Sequence, residues 1–183
     1  MTRKEILDTT ELEITLNRLC CELIENHDGF ENTVLIGLQP RGVSLAKRLK
    51  ELLIQNYGIA NIPLGSLDMT FFRDDFRRRD EPLKANQTRI DFLVEGKKVI
   101  FVDDVLYTGR SVRAALDAIQ SFGRPSSIEL LVLIDRRFSR DLPIQPDYKG
   151  RQVDSIATEK VQVNWKEEHG QDVVYIITSD KNE

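Results

Sequence analysis

Three continuous apolar runs of strand length alternate with segments of helical spacing through the middle of this chain. Thr33–Leu38, Val99–Val102 and Ile128–Ile134 read as strands buried on both faces. Between them, Val43, Leu45, Ala46, Leu49, Leu52 and Leu53 form one helix face, and Val112, Ala115, Leu116 and Ile119 form another, closed by Gly123 and Pro125. Ahead of the first run, Leu12, Leu16, Leu19, Cys20, Leu23 and Ile24 predict an amphipathic helix over 10–26, with Thr10-x-x-Glu13 as a capping box. A further strand is expected near 61–70, interrupted by Pro63 and Gly65, and short alternating segments at 151–156, 160–165 and 172–178 close the pattern. Buried strands alternating with helices imply an α/β fold whose mostly parallel sheet is covered on both faces. In such sheets ligands bind beyond the carboxyl ends of the strands.

Length and composition narrow the class. A chain of 183 residues fits one domain, 1–183, and 40% hydrophobic with 31% charged residues is the balance of a soluble globular protein. No run reaches the ~20 apolar residues of a membrane span. The charged start, Thr2-Arg3-Lys4-Glu5, lacks a signal-peptide core. Cys20 and Cys21 are neighbours in a helical pattern, which suggests neither a disulfide framework nor a zinc site; the cytoplasm is the expected compartment. A net charge of −4 argues against a generally basic nucleic-acid coat but permits a local basic patch. Residues 73–87 are almost all charged or polar, with too little apolar content to pack.

Two loops leave strand ends and enter helices: Gln39-Pro40-Arg41-Gly42 and Asp103–Ser111. The second joins two adjacent carboxylates to a turn of small polar residues. Asp103 and Asp104 repel one another unless something offsets them, such as a ribose diol donating hydrogen bonds or a hydrated magnesium nearby. Tyr107, Thr108, Gly109, Arg110 and Ser111 then supply backbone N–H groups at a helix N-terminus, an anion site. A diol site beside a phosphate site points to a phosphorylated ribose. Neither G-x-G-x-x-G after a strand nor G-x-x-x-x-G-K-[ST] is present. His27 and His169 read as surface or helix-end residues, and no nucleophile–base set is apparent.

Taken together, these residues resemble a known family. Segment 99–111 looks like the phosphoribosyl pyrophosphate signature of type I phosphoribosyltransferases. Asp-Asp-Val-Leu-Tyr-Thr-Gly-Arg-Ser is similar to the version found in bifunctional pyrimidine operon regulators with uracil phosphoribosyltransferase activity. Arg41-Gly42-Val43, Phe72-Arg73-Asp74-Asp75, Gly123–Ile128 through Asp135-Arg136, and Leu142-Pro143-Ile144 with Asp147-Tyr148 and Gly150 agree with it. The resemblance implies a type I phosphoribosyltransferase fold with a small hood from the chain ends, including about 139–165, and a lid at 73–87. It implies transfer of phosphoribose from phosphoribosyl pyrophosphate to uracil, giving UMP and pyrophosphate with Mg2+. By the same likeness Asp103 and Asp104 hold the ribose hydroxyls, Tyr107 to Ser111 hold the 5′-phosphate, Arg41-Gly42 form the pyrophosphate loop, and Val105 and Leu106 count among the substrate-binding residues. Asp103, Asp104 and Arg41 are then the catalytic set, with magnesium near the two carboxylates. Arg73, Arg136 and Val161 join the substrate-binding residues. A homo-oligomer, dimer or larger, is also implied.

The family's second role is binding a hairpin in pyrimidine-operon mRNA. Arg18, Arg140 and Arg151, with Arg137, are the RNA candidates here. The match thins at Asn17, Cys21 and Gln145, and the loop Arg137-Phe138-Ser139-Arg140 is one residue longer than usual. Three readings therefore stay open: a uracil phosphoribosyltransferase, a UMP-sensing RNA regulator with little catalysis, and a transferase for a purine base.

Overall fold

The computed structural model describes residues 2–72 and 86–178. Its elements are β1 (Thr2–Leu7), α1 (Thr9–Asn26), β2 (Thr33–Leu38), α2 (Gly42–Tyr57), β3 (Leu64–Leu67), β4 (Lys98–Leu106), α3 (Arg110–Ile119), β5 (Ser127–Arg136), β6 (Tyr148–Val153), β7 (Glu159–Asn164), α4 (Lys166–His169) and β8 (Val173–Thr178). Five strands form a sheet in the order β3-β2-β4-β5-β6, every pair parallel. A three-stranded antiparallel sheet, β1-β8-β7, gathers both ends of the described chain into a hood.

The strand pleat divides the interior into two cores. Leu35, Ile100, Val102, Leu131 and Leu133 face α1 and α2, and share one core with hood residues Val161, Val163, Trp165 and Val174. Val34, Ile36, Val99, Phe101 and Val132 face α3 and its Val112, Ala115 and Ile119. That alternation is the period of two that sends successive side chains to opposite faces. The central strands read as unbroken apolar runs because both faces are covered.

Four local expectations change. Helix α1 starts at Thr9 and its capping box is Asp8 with Glu11: the Glu11 N–H donates to Asp8 Oδ1 at 2.7 Å and the Asp8 N–H donates to Glu11 Oε2 at 3.1 Å. The box has the expected spacing, placed two residues earlier than Thr10 and Glu13. Strand β3 is only four residues long, beginning just after Pro63. Strand β6 spans 148–153 instead of 151–156, set by Asp147, whose N–H donates to Leu130 O while its carboxylate accepts from Leu130 N–H. It pairs with β5, so this part of 139–165 lies in the main sheet and only β7 enters the hood.

The charged strand β1 had no sequence signal. Its first four residues are exposed, and it pairs only with β8 at the hood's edge. His27 does end α1, yet it is buried. Its ring nitrogens lie 3.1 Å from Thr33 Oγ1, 3.0 Å from Glu129 Oε2 and 3.1 Å from the Tyr148 hydroxyl. Those partners tie α1 to the amino ends of β2, β5 and β6, opposite the edge where the two candidate loops lie.

Candidate functional site

The centre of the site is a mismatch in strand length. Strand β2 pairs with β4 only as far as Gly37 and Val102, whereas β4 runs on to Leu106 alongside β5. Asp103 and Asp104 lie on this overhang. The two carboxylates therefore belong to the strand itself and not to a turn beyond it. The edge that β2 vacates is filled by the start of α2. Gly42 sits so close there that a Cβ on it would lie 2.0 Å from the Val102 carbonyl oxygen. This contact sets the Arg41 loop beside the carboxylates, with Arg41 Nη1 3.9 Å from Asp104 Oδ2.

Two helix N-termini flank the pair. Arg41 is the N-cap of α2 and makes no side-chain capping bond. Gly109 is the N-cap of α3 at φ +89°, a conformation that suits glycine, and has no side chain to cap with. Thr108 Oγ1 lies 3.4 Å from the Arg110 N–H. Helix N-termini carry partial positive charge and donor N–H groups, so each is suited to an anion. A carboxylate pair between two such ends suits a ligand with a hydroxylated centre and an anionic group on either side.

The carboxylates themselves are held out of their ordinary range. Burial pushes Asp103 well above it, and the neighbouring Asp104 charge pushes the same way; the Asp104 N–H bond to Asp103 Oδ1, at 2.9 Å, opposes them. Asp104 is also raised by burial, with Arg41 opposing. The pair shares a cavity of about 470 Å³, within the size range of small-molecule sites.

The cavity collects most of the expected residues. Arg41, Asp103, Asp104, Val105, Tyr107 and Ser111 line it, as do Arg136 and Val161 from the other side. Gly42, Leu106, Thr108, Gly109 and Arg110 shape its loops without lining it; Leu106 is buried in the core over α3. Arg73, and residues 73–85 of the expected lid, lie outside the described residues. Gln39, Pro40, Met69, Ala157, Glu159 and Lys160 also line the cavity. Gln39 and Pro40 belong to a loop the sequence had already marked. Met69 and Ala157 carried no signal, because a methionine after a short strand and an alanine in a turn have no chemistry of their own.

Arg136 has a structural duty as well. It is buried, donates to Ser155 Oγ at 2.7 Å and to the carbonyls of Ile156 and Glu159, and stacks 3.9 Å from the Tyr107 ring. It thus ties the hood loop to the loop that enters α3.

The RNA candidates lie apart from the cavity or inside the protein's own networks. Arg18 donates to the carbonyls of Lys149 and Gly150 and to Glu22. Arg151 donates to Ile6 O and lies 4.0 Å from Glu11. Arg137 pairs with Asp154. Arg140 pairs with buried Asp135, which removes it from an exposed patch.

Among the described residues there is no group of three or more His, Cys, Asp or Glu side chains able to hold a metal ion, and no helix long and apolar enough to cross a membrane.

Comparison with known proteins agrees with the geometry. The family model described as the phosphoribosyl transferase domain matches residues 2–168. The bifunctional protein PyrR of Caldicellulosiruptor bescii is 48% identical over 160 residues, 87% of each chain. That of Enterococcus faecalis is 42% identical over 176 residues, 96% of this chain and 97% of the relative. Among solved structures, a hypoxanthine-guanine phosphoribosyltransferase from Bacillus anthracis superposes with a TM-score of 0.71 at 17% identity, covering 96% of this chain and 98% of that one. That likeness speaks to the fold: the parallel sheet and overhanging β4 form a type I phosphoribosyltransferase scaffold. This chain belongs to the phosphoribosyl transferase domain family and, within it, to the bifunctional PyrR proteins.

Proposed function

We propose that this phosphoribosyltransferase joins uracil to the phosphoribose of phosphoribosyl pyrophosphate, releasing UMP and pyrophosphate. One observation carries the sugar half of that reading: the carboxylate pair sits between two helix N-termini. In the proposed complex Asp103 and Asp104 accept hydrogen bonds from the ribose hydroxyls. The α3 end, from Thr108 to Ser111, takes the 5′-phosphate. The α2 end and Arg41 take the pyrophosphate. The C1–O bond breaks with its electron pair leaving on pyrophosphate, the uracil N1–C1 bond forms, and the N1 proton is released. Positive charge on the ring is met by fixed carboxylates, so no protein nucleophile is needed.

The two carboxylates suit a magnesium ion that arrives on the pyrophosphate and keeps most of its waters, since an ion held that way needs no closed cage of protein ligands. Such an ion, near Asp103 and Asp104, would neutralise the departing oxygens. The free thiols Cys20 and Cys21 fit a reducing compartment such as the cytoplasm.

The hood supports a keto-amide base. Glu159 N–H donates to Ile156 O and its carbonyl accepts from Arg136, so both groups point away from β8. Alternate residues of an antiparallel strand point the same way, so Val161 turns its N–H and C=O to the cavity edge of β7. A donor beside an acceptor matches the N3–H and adjacent carbonyl of uracil. Cytosine and adenine present the reverse pattern, whereas hypoxanthine and guanine share it. The test is pyrophosphate release with magnesium and each base in turn. Turnover is expected with uracil and at least 100-fold less with cytosine, because mismatched buried polar groups discriminate strongly. Faster turnover with hypoxanthine or guanine would replace uracil by a purine, and tight UMP binding without turnover would make the protein a sensor.

The second reading, binding of an mRNA leader hairpin, is favoured by the cluster of Arg18, Lys149 and Arg151 along β6. Glu22 and Glu11 sit against those arginines and cancel part of their charge. With about three phosphate contacts, filter binding should weaken with salt at a log–log slope no steeper than about −3. A slope of about −6 or steeper would require a basic surface elsewhere on the protein or its oligomer.

A further inference from the structure

We propose that Arg140 is a positioning residue for the phosphate loop, acting through the backbone of Tyr107 and anchored on Asp135; this rests on assigning the α3 end to the 5′-phosphate. Arg140 belongs to the loop that follows β5, outside the cavity lining. Its Nη1 donates to the Tyr107 carbonyl at 2.6 Å, and its Nη2 donates to Asp135 Oδ1. The Asp135 carboxylate is only 5% exposed and the Arg140 side chain 18%. Asp135 stands opposite Leu106 on the β4–β5 ladder, and Gln152 Nε2 donates to its other oxygen at 3.3 Å. The anchor is therefore rigid, and Arg140 bridges it to the first residue of the loop.

The rest of this segment grips the same loop. The N–H groups of Asp141 and Leu142 both donate to the Thr108 carbonyl, at 3.1 and 3.2 Å. The Ile144 and Leu142 side chains pack over Gly109, 3.3–3.5 Å from where its Cβ would stand. Asp141 accepts from Arg110 Nε at 3.0 Å. Tyr107 is thus fixed twice from the end of β5, at its ring by Arg136 and at its carbonyl by Arg140. Turning the loop's carbonyls outward toward these donors leaves its N–H groups for the anion. Arg137, three residues earlier, makes its side-chain bond to Asp154 and stacks on Phe138, so it serves as a control in the same loop.

The experiment compares wild type with R140M, R140K, D135N/R140M and R137M. Pyrophosphate release gives kcat and KM for each substrate, calorimetry gives phosphoribosyl pyrophosphate affinity, and a thermal melt gives stability. Losing one charge-assisted hydrogen bond should raise the KM for phosphoribosyl pyrophosphate about tenfold in R140M. The KM for uracil should stay within about twofold, the size of an indirect effect. R140K should recover part of the loss, because one ammonium reaches either acceptor, and R137M should behave as wild type. R140M leaves Asp135 a buried charge short of its cation and is expected to melt early. The double variant D135N/R140M removes that charge, so it should regain the melting temperature and keep the raised KM. An unchanged KM in R140M, or a double variant that regains both properties, would overturn the proposal. Should wild type turn over no base at all, the uracil reading fails, but calorimetry still decides: about tenfold weaker binding in R140M supports the positioning role, and equal binding overturns it.

Discussion

Gly42→Ala is expected to cost about 3 kcal/mol of stability, at the upper end for overpacking, and about 100-fold in turnover, the scale of a 1 Å misplacement. A Cβ at this position would lie 2.0 Å from the Val102 carbonyl oxygen and 3.0 Å from the Asp103 Cα. Both neighbours are backbone atoms of the central strand, so neither can swing aside as a side chain would. The helix must back away from the β4 overhang and carry Arg41 with it, away from Asp104. For a chain of this size the melting temperature should fall by roughly 6–12 °C. Gly58→Ala is the contrast. Gly58 ends α2 at φ +69° with nothing within 4 Å of the Cβ position, so the expected cost is about 1 kcal/mol of backbone strain with turnover unchanged. A thermal melt and the pyrophosphate assay on both variants check this. Gly42→Ala melting within 2 °C of wild type at full rate would mean that α2 is not seated against β4.

Features that depend on neighbours along the chain were legible in the sequence. The three buried runs became β2, β4 and β5 because hydrophobic burial selects a continuous apolar pattern in a sheet covered on both faces. Segment 99–111 announced two carboxylates and a helix start because strand, glycine and cap follow one another directly. Features that depend on distant partners were not legible. Strand β1 is charged and finds its place only through β8, about 170 residues later in the chain. At the start of α1 the capping box formed at Asp8 and Glu11 instead of Thr10 and Glu13, because the preceding strand ends at Leu7. Arg140 read as an RNA candidate in a basic patch because its partner, Asp135, is buried by packing that no local pattern encodes. His27 was equally unreadable, since Glu129 and Tyr148 reach it from β5 and β6.

Asp103→Asn should stabilise the free protein while nearly abolishing transfer. The site stores two carboxylates in a partly buried place, with Arg41 3.9 Å from only one of them. Burial and mutual repulsion raise the folded-state pKa of Asp103 well above its ordinary value. A carboxyl raised in the folded state favours folding while it is protonated. That contribution is complete below the unfolded pKa near 4, and it is lost as pH rises through the raised folded pKa. Above the unfolded pKa, folding must therefore either bury that charge or take up a proton, and asparagine removes this cost. Asparagine keeps an oxygen to accept the Asp104 N–H, so the local backbone bond survives. A gain of about 1 kcal/mol, or roughly 2–4 °C in melting temperature, is expected at pH 8, and it should vanish below about pH 4. Transfer should fall by at least about 100-fold, because in the proposed complex the lost charge would face the ribose where positive charge develops. The same linkage predicts that phosphoribosyl pyrophosphate with magnesium binds wild type more tightly as pH rises through the raised pKa, releasing a proton. Calorimetry in two buffers of different ionisation enthalpy reads that proton directly. A variant that melts below wild type at pH 8, or that binds and turns over phosphoribosyl pyrophosphate as well as wild type, would remove Asp103 from the site.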